Sequence, residues 1–220
     1  MQDVYDWSMM PVRRSLAREA MNRASERLSG RVTALLLPLC FCLAVIYALY
    51  LLSFLLATLA LALFTSALAA FVLYGAVLAL ATVAILPLWA GRFRMAGLVA
   101  VEWDCPLSAL FYYYGNARRF LRGLGVLLLF VLGVICPFFF GAAALYAGKE
   151  TLSLGGALRA AREGARGNLR DVLGFYARVA WRFLLGVLTL GVLWIVYDAH
   201  RCAVAYFELT MTMDPKGVLQ

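Results

Sequence analysis

The sequence predicts an all-α fold: a polytopic helical membrane protein with about four to six membrane segments arranged as hairpins, plus amphipathic interfacial helices. Three observations lead there. Hydrophobic residues make up 65% of the 220 positions and charged residues only 15%, whereas soluble chains are roughly half apolar and about a quarter charged. Between Arg31 and Arg92 no residue carries a charge, and one span needs only about 20 apolar residues. Arginines flank each apolar block, as the positive-inside rule requires of segments facing the cytoplasm.

Residues 1–31 form the first unit, an amphipathic helix near Met9–Gly30, cytoplasmic or interfacial. Pro11 suits a first turn. Leu16, Ala20, Ala24 and Leu28 recur every four residues, while Arg14, Arg18, Arg23, Arg27 and Arg31 occupy other faces. This pattern is expected to lie on anionic lipid. No apolar core with a small-residue cleavage site precedes Val32, so the first span is expected to direct insertion.

The rest, 32–220, reads as a single helical membrane domain. Spans are expected near 32–54 and 67–89, joined through Thr65 and Ser66, with small residues Gly75 and Ala79 permitting close contact and Pro87 kinking the second. From Arg92 to Arg122 the chain is interfacial, carrying Arg118 and Arg119, a helix start at Asp104-Cys105-Pro106, and the aromatic run Tyr112-Tyr113-Tyr114. Aromatic rings beside arginines mark the headgroup region.

The uncharged run 123–148 allows two readings. It could cross once as a tilted helix. That would put Lys149, Arg159, Arg162, Arg166 and Arg170 opposite the earlier arginines. Alternatively it reverses at Pro137 as a hairpin with its tip buried or wet, and the charge rule favours this. Leu154–Arg170 is a second amphipathic segment, with Leu158, Ala161, Ala165, Leu169 and Val172 in one stripe and the four arginines beside it. A further segment runs near 172–197, and a short return, 199–213, is interrupted by Glu208.

Chemistry-bearing residues are few. Cys40, Cys42, Cys105, Cys136 and Cys202 contain no CxxC pattern, and His200 is the only histidine, so neither a metal nor another cofactor is expected. Arg178 and Arg182 sit four apart on one helical face, with Asp171 on a similar face. Ionisable groups at depth mark candidate polar sites, although these could also reach headgroups. The lipid-contacting set comprises Arg14, Arg18, Arg118, Arg119, Arg159, Arg162, Arg166 and Arg170.

Four stretches resemble a family. They are Ser15-Leu-Ala-Arg-Glu-Ala, Ala157-Leu-Arg-Ala-Ala-Arg-Glu-Gly-Ala-Arg-Gly, Trp181-Arg-Phe-Leu-Leu-Gly-Val-Leu-Thr-Leu-Gly and Ala205-Tyr-Phe-Glu. Their order resembles an uncharacterised bacterial membrane family, the domain of unknown function 975 group, over nearly the whole chain. The resemblance implies about six membrane segments in three hairpin-like pairs with both termini cytoplasmic, and no established activity. The chain departs from the family in its short middle block and around Val196-Tyr-Asp198, where the family's last segment carries proline-tyrosine.

These readings favour a multi-pass cell-membrane protein, N-terminus cytoplasmic, without catalytic activity. It would act as a scaffold or accessory protein on anionic inner-leaflet lipids, other membrane proteins or itself, and not on nucleic acid. The alternative is a small transporter or channel component with Arg178 and Arg182 lining a polar cavity. A lipid-acting enzyme ranks last; it would have to use Asp171, Asp198, Glu208 or His200, none of which lies in a motif.

Overall fold

The computed structural model describes residues 16–63, 67–102, 104–166, 168–189, 191–192 and 194–213. Arg14 of the expected lipid-contacting set lies outside them, as do Thr65 and Ser66. All regular structure among the described residues is helical: α1 (Leu16–Leu28), α2 (Val32–Leu63), α3 (Ala67–Ala100), α4 (Ala117–Ile135), α5 (Phe138–Gly148), α6 (Leu154–Arg166), α7 (Leu169–Leu188) and α8 (Ala199–Thr212). A 3₁₀ helix, Leu107–Tyr114, precedes α4, and a π turn, Trp194–Asp198, precedes α8.

Two helices are long and apolar enough to cross a membrane, α2 over Val32–Ala62 and α3 over Ala67–Ala100. Their most apolar stretches are only 22% and 11% buried, whereas a soluble protein's core helix is mostly covered. Tyr47, Phe54, Leu68, Phe71 and Leu80 all stand exposed. The helices outrun the expected spans: α2 continues to Leu63 and α3 to Ala100, with Pro38 and Pro87 inside them. At 34 residues, α3 is about 51 Å long at roughly 1.5 Å per residue. It continues beyond Trp89 through Arg92 and Arg94, so the expected interfacial segment begins instead as a helix packed in the body.

That lower part of α3 is the centre of the body. Leu88, Ala90, Met95, Ala96, Val99 and Ala100 are buried against the 3₁₀ helix, α4, α5 and α8. A Cβ at Gly91 would stand 2.0 Å from the Leu110 carbonyl oxygen, so only glycine lets the 3₁₀ helix lie on α3. Tyr113, expected among headgroup-level aromatics, is fully buried there. Tyr112 instead lies between two guanidinium groups, Arg94 at 3.8 Å and Arg119 at 4.6 Å.

The 123–148 block folds back on itself. Asn116 caps α4 by accepting the Arg119 N–H at 2.8 Å, and the helix ends at Cys136, before Pro137. The reversal satisfies its own backbone: Cys136 N–H bonds Leu132 C=O at 2.9 Å, and Phe139 N–H bonds Cys136 C=O at 3.0 Å. Pro137 brings no N–H to satisfy. α5 then descends against α4, Gly133 facing Phe140 near the tip and Gly125 facing Tyr146 near the other end. Ala142, Ala143, Ala144 and Ala147 are fully buried, since alanines let neighbouring helices approach closely.

α7 and α8 follow one another through the π turn but pack little on each other; α8 lies instead against α1, α3 and α5. Gly191, at φ +79, takes the left-handed conformation glycine allows, and its N–H bonds Gly186 C=O at 2.7 Å. Arg182 meets Asp198 near this turn, and Phe175 packs on Tyr206 at 4.6 Å further down. The expected 172–197 segment is therefore a helix ending at Leu188 followed by a turn.

α1 departs from its expected use. Its apolar face, Ala17, Ala20, Met21, Ala24 and Leu28, is buried against α8, with α7 and α3 beside it. The face expected to rest on lipid is covered by protein, because α8 offers a matching apolar surface. Arg27 pairs with both Glu102 and Glu208, and Arg201 donates to Met21 C=O at 3.2 Å. Glu208, which interrupts the last apolar segment in the sequence, is only 3% exposed and ties α8 to α1.

Candidate functional site

Two features carry chemistry: a basic end and an apolar cavity with a cationic wall. The start of α4, the end of α5, α6, the start of α7 and the end of α8 meet at the basic end. Arg122 donates to the carbonyls of Tyr146, Lys149, Glu150 and Leu152. Arg94 donates to Ala147 C=O at 2.7 Å, and the backbone of Met213 lies against Gly164 of α6.

Five of the expected lipid-contacting arginines, Arg118, Arg159, Arg162, Arg166 and Arg170, belong to the elements of this end and are exposed. Arg18 is exposed on α1, whose Met21 and Arg27 face Arg201 and Glu208 of α8. On α6 the small residues Ala157, Ala161 and Gly164 face inward, which leaves Arg159, Arg162 and Arg166 to solvent. Arg119 is different: it pairs with Glu150 at 3.0 Å. The neighbouring Tyr112 side chain and the paired Arg119 hold the Glu150 carboxyl below its ordinary pKa.

The cavity, about 550 Å³, lies between α3, α4, α7 and α8. Ligand pockets commonly measure roughly 300–1,000 Å³. Its wall is mostly apolar, with Phe93, Phe130, Phe140, Val179 and Phe183 prominent, and Arg92 and His200 also line it. Counting back from the end of α3, Arg92 sits about 12 Å inside the helix terminus. Its Nη2 stands 3.2 Å from His200 Nδ1. A guanidinium has only donors, so Nδ1 accepts and a neutral His200 carries its proton on Nε2.

Several donors in this wall lack partners. Arg92 Nε, His200 Nε2 and the Tyr206 hydroxyl are buried with no hydrogen-bond partner. His200 is 2% exposed and Tyr206 8%. Among the described residues no carboxylate pairs with Arg92, and the Trp89 ring lies 5.6 Å away.

The intramembrane residues singled out by sequence lie elsewhere. Arg182 is paired with Asp198, and Asp171 sits in the first turn of α7, where a negative charge suits the helix dipole. Arg178 is half-buried. The cavity wall includes none of Asp171, Arg178 and Arg182.

Sequence reasoning places Arg92 at a span boundary and His200 in a turn. A helical signal is available for Arg92, since Gly91, Met95 and Val99 continue the four-residue spacing past it. The pairing with His200, 108 positions away, leaves no local trace.

Among the described residues no group of three or more His, Cys, Asp or Glu side chains is placed to hold a metal ion. The cysteines are free. No protein-family model, curated protein or solved structure matches the chain.

Proposed function

We propose that this chain is a multi-pass inner-membrane protein that acts by binding, as a scaffold or accessory protein on anionic lipid, and does not catalyse a reaction. The observation that carries this reading is a division of the surface. Exposed apolar side chains cover α2 and α3 and the outer faces of α4 and α7, where Leu128, Val131, Trp181 and Leu184 stand out. Exposed arginines of α4, α6 and α7 gather at the basic end, opposite the Pro137 reversal. Lipid tails would take the first surface and acidic headgroups the second, with each basic residue near an anionic surface contributing about 1 kcal/mol.

In this reading α2 and α3 cross the bilayer, while the two shorter pairs enter and return. With 11 residues, α5 reaches about 16 Å, short of a hydrocarbon core of about 30 Å. The positive-inside rule assigns the basic end, and α1 with it, to the cytoplasm. Three returning pairs are also what the resemblance to the domain of unknown function 975 group implies. Partners in the membrane, including a second copy, fit the broad apolar faces.

The transporter alternative built on Arg178 and Arg182 draws less support, since Arg182 is ion-paired and neither residue lines the cavity. The test uses the intact chain in nanodiscs of mixed phosphatidylglycerol and phosphatidylcholine. Phosphatidylglycerol should be enriched around the protein, and replacing Arg159, Arg162 and Arg166 together with glutamine should remove most of that enrichment. Equal recruitment of both lipids by the unaltered chain contradicts the proposal.

A further inference from the structure

The geometry points to the α3–α4–α7–α8 cavity as a binding site for a single-chain amphiphile with an anionic oxygen headgroup, held by Arg92 and His200. Two independent properties of the wall specify such a ligand. The first is shape and polarity: about 550 Å³ of space faces aromatic and aliphatic side chains, which suits a hydrocarbon chain and excludes a strongly hydrated solute. The second is an excess of donors. Arg92 brings a positive charge with no carboxylate partner among the described residues, and Arg92 Nε, His200 Nε2 and the Tyr206 hydroxyl have none of the hydrogen bonds they can make.

Buried polar groups are nearly always satisfied, and each one that is not calls for an explanation. The Arg92 guanidinium with the His200 imidazole against it, one cation bearing N–H donors, matches the several lone pairs of a carboxylate or phosphate oxygen group. A neutral lipid would leave the charge uncompensated, and a cation would meet Arg92 directly. The second His200 nitrogen is occupied by Arg92, which fixes Nε2 as the donor. The site differs from the exposed arginines of the basic end, whose ligands would be headgroups at the surface.

The test uses the full chain in phosphatidylcholine nanodiscs with a diazirine-bearing palmitate as probe, its methyl ester as neutral control, and crosslinks mapped by mass spectrometry. The acid should label cavity-wall peptides of α7 and α8, and unlabelled palmitate or lysophosphatidate should compete. Competition by palmitate alone identifies a carboxylate ligand, and competition by lysophosphatidate a phosphate one. Because a charge-assisted hydrogen bond is lost with it, the ester should label at least about tenfold less. Arg92→Gln should bring the acid down to the ester's level, while Arg92→Lys retains most labelling. Ala203→Trp, which narrows the cavity without touching the charge, should suppress acid and ester alike. Thermal midpoints of the variants establish that each is folded. Equal labelling by acid and ester, or acid labelling unchanged in a folded Arg92→Gln variant, overturns the assignment. Neither result depends on phosphatidylglycerol enrichment at the basic end.

Discussion

Arg122 donates a hydrogen bond to the main-chain carbonyl of Lys149, so the two flanks of the 123–148 apolar block touch. The same guanidinium reaches Tyr146 C=O at 2.6 Å, Glu150 C=O at 2.8 Å and Leu152 C=O at 3.1 Å. It stacks on the Tyr146 ring at 4.1 Å and is only 8% exposed. The Tyr146 and Lys149 carbonyls end α5 and those of Glu150 and Leu152 follow it, so an arginine there supplies both missing donors and favourable charge at a helix C-terminus.

Arg122→Ala therefore strands several carbonyls in a buried place. Hydrogen bonds to charged groups contribute about 1.5–3 kcal/mol, so a loss of roughly that size is expected in thermal or denaturant unfolding of the detergent-solubilised chain. Arg122→Lys should recover only part of it, since an ammonium lacks the planar fork. An unaltered midpoint in the alanine variant would remove Arg122 as the clamp.

The charge pair joining α1 to α8 gives a second expectation. Glu208 is buried and Arg27 partly so, and removing one member of a buried pair leaves an uncompensated charge costing about 3–5 kcal/mol. Arg27→Met alone should destabilise the chain strongly and release α1, seen as faster hydrogen exchange over residues 16–28. Adding Glu208→Met should restore much of the loss. Equal destabilisation by single and double variants would contradict the pairing.

Gly91 is the position where one methyl group matters most. Its added Cβ meets backbone, the Leu110 carbonyl oxygen and carbon, and cannot be relieved by a rotamer change. Gly91→Ala should cost about 1–3 kcal/mol, the usual range for overpacking. Gly75→Ala, with nothing within 4 Å of its Cβ, is the control and should leave stability essentially unchanged.

Glu150 supplies a pH dependence whose sign follows from its depressed pKa. A carboxyl more acidic when folded contributes stability that is complete above its unfolded pKa, roughly 4.3. That contribution disappears as pH falls through the folded value. Glu150→Gln should thus unfold earlier than the unaltered chain at pH 7, with the difference closing below about pH 4. A gap that persists undiminished to pH 3 would show that charge is not its cause.

How much of this is legible in the sequence differs by element. The helical class and the apolar block over α2 and α3 follow from the absence of charge between Arg31 and Arg92, which no fold can conceal. The 123–148 block is ambiguous in sequence because its length fits one tilted helix or two short ones. Contacts made by Arg122, outside the block, show the doubling back. For α1 the apolar stripe is readable but its cover is not, since periodicity says which face is buried and nothing about whether lipid or α8 lies against it. The exposed arginines of α6 and early α7 are found by position alone. Arg92 escapes notice as a cavity residue because an arginine after a long uncharged run looks like the end of a span. Here the helix carries it onward into the body.

In the proposed topology every apolar block returns the chain to the same side of the bilayer. Its most direct measurement is labelling of single-cysteine variants, made in a background with the five native cysteines replaced, by a membrane-impermeant maleimide in sealed vesicles of known orientation. Ser29→Cys, Arg118→Cys and Thr151→Cys occupy exposed positions beside successive blocks. All three should react from the cytoplasmic face. Labelling of the Thr151 position from the face opposite to that of Arg118 would contradict this topology.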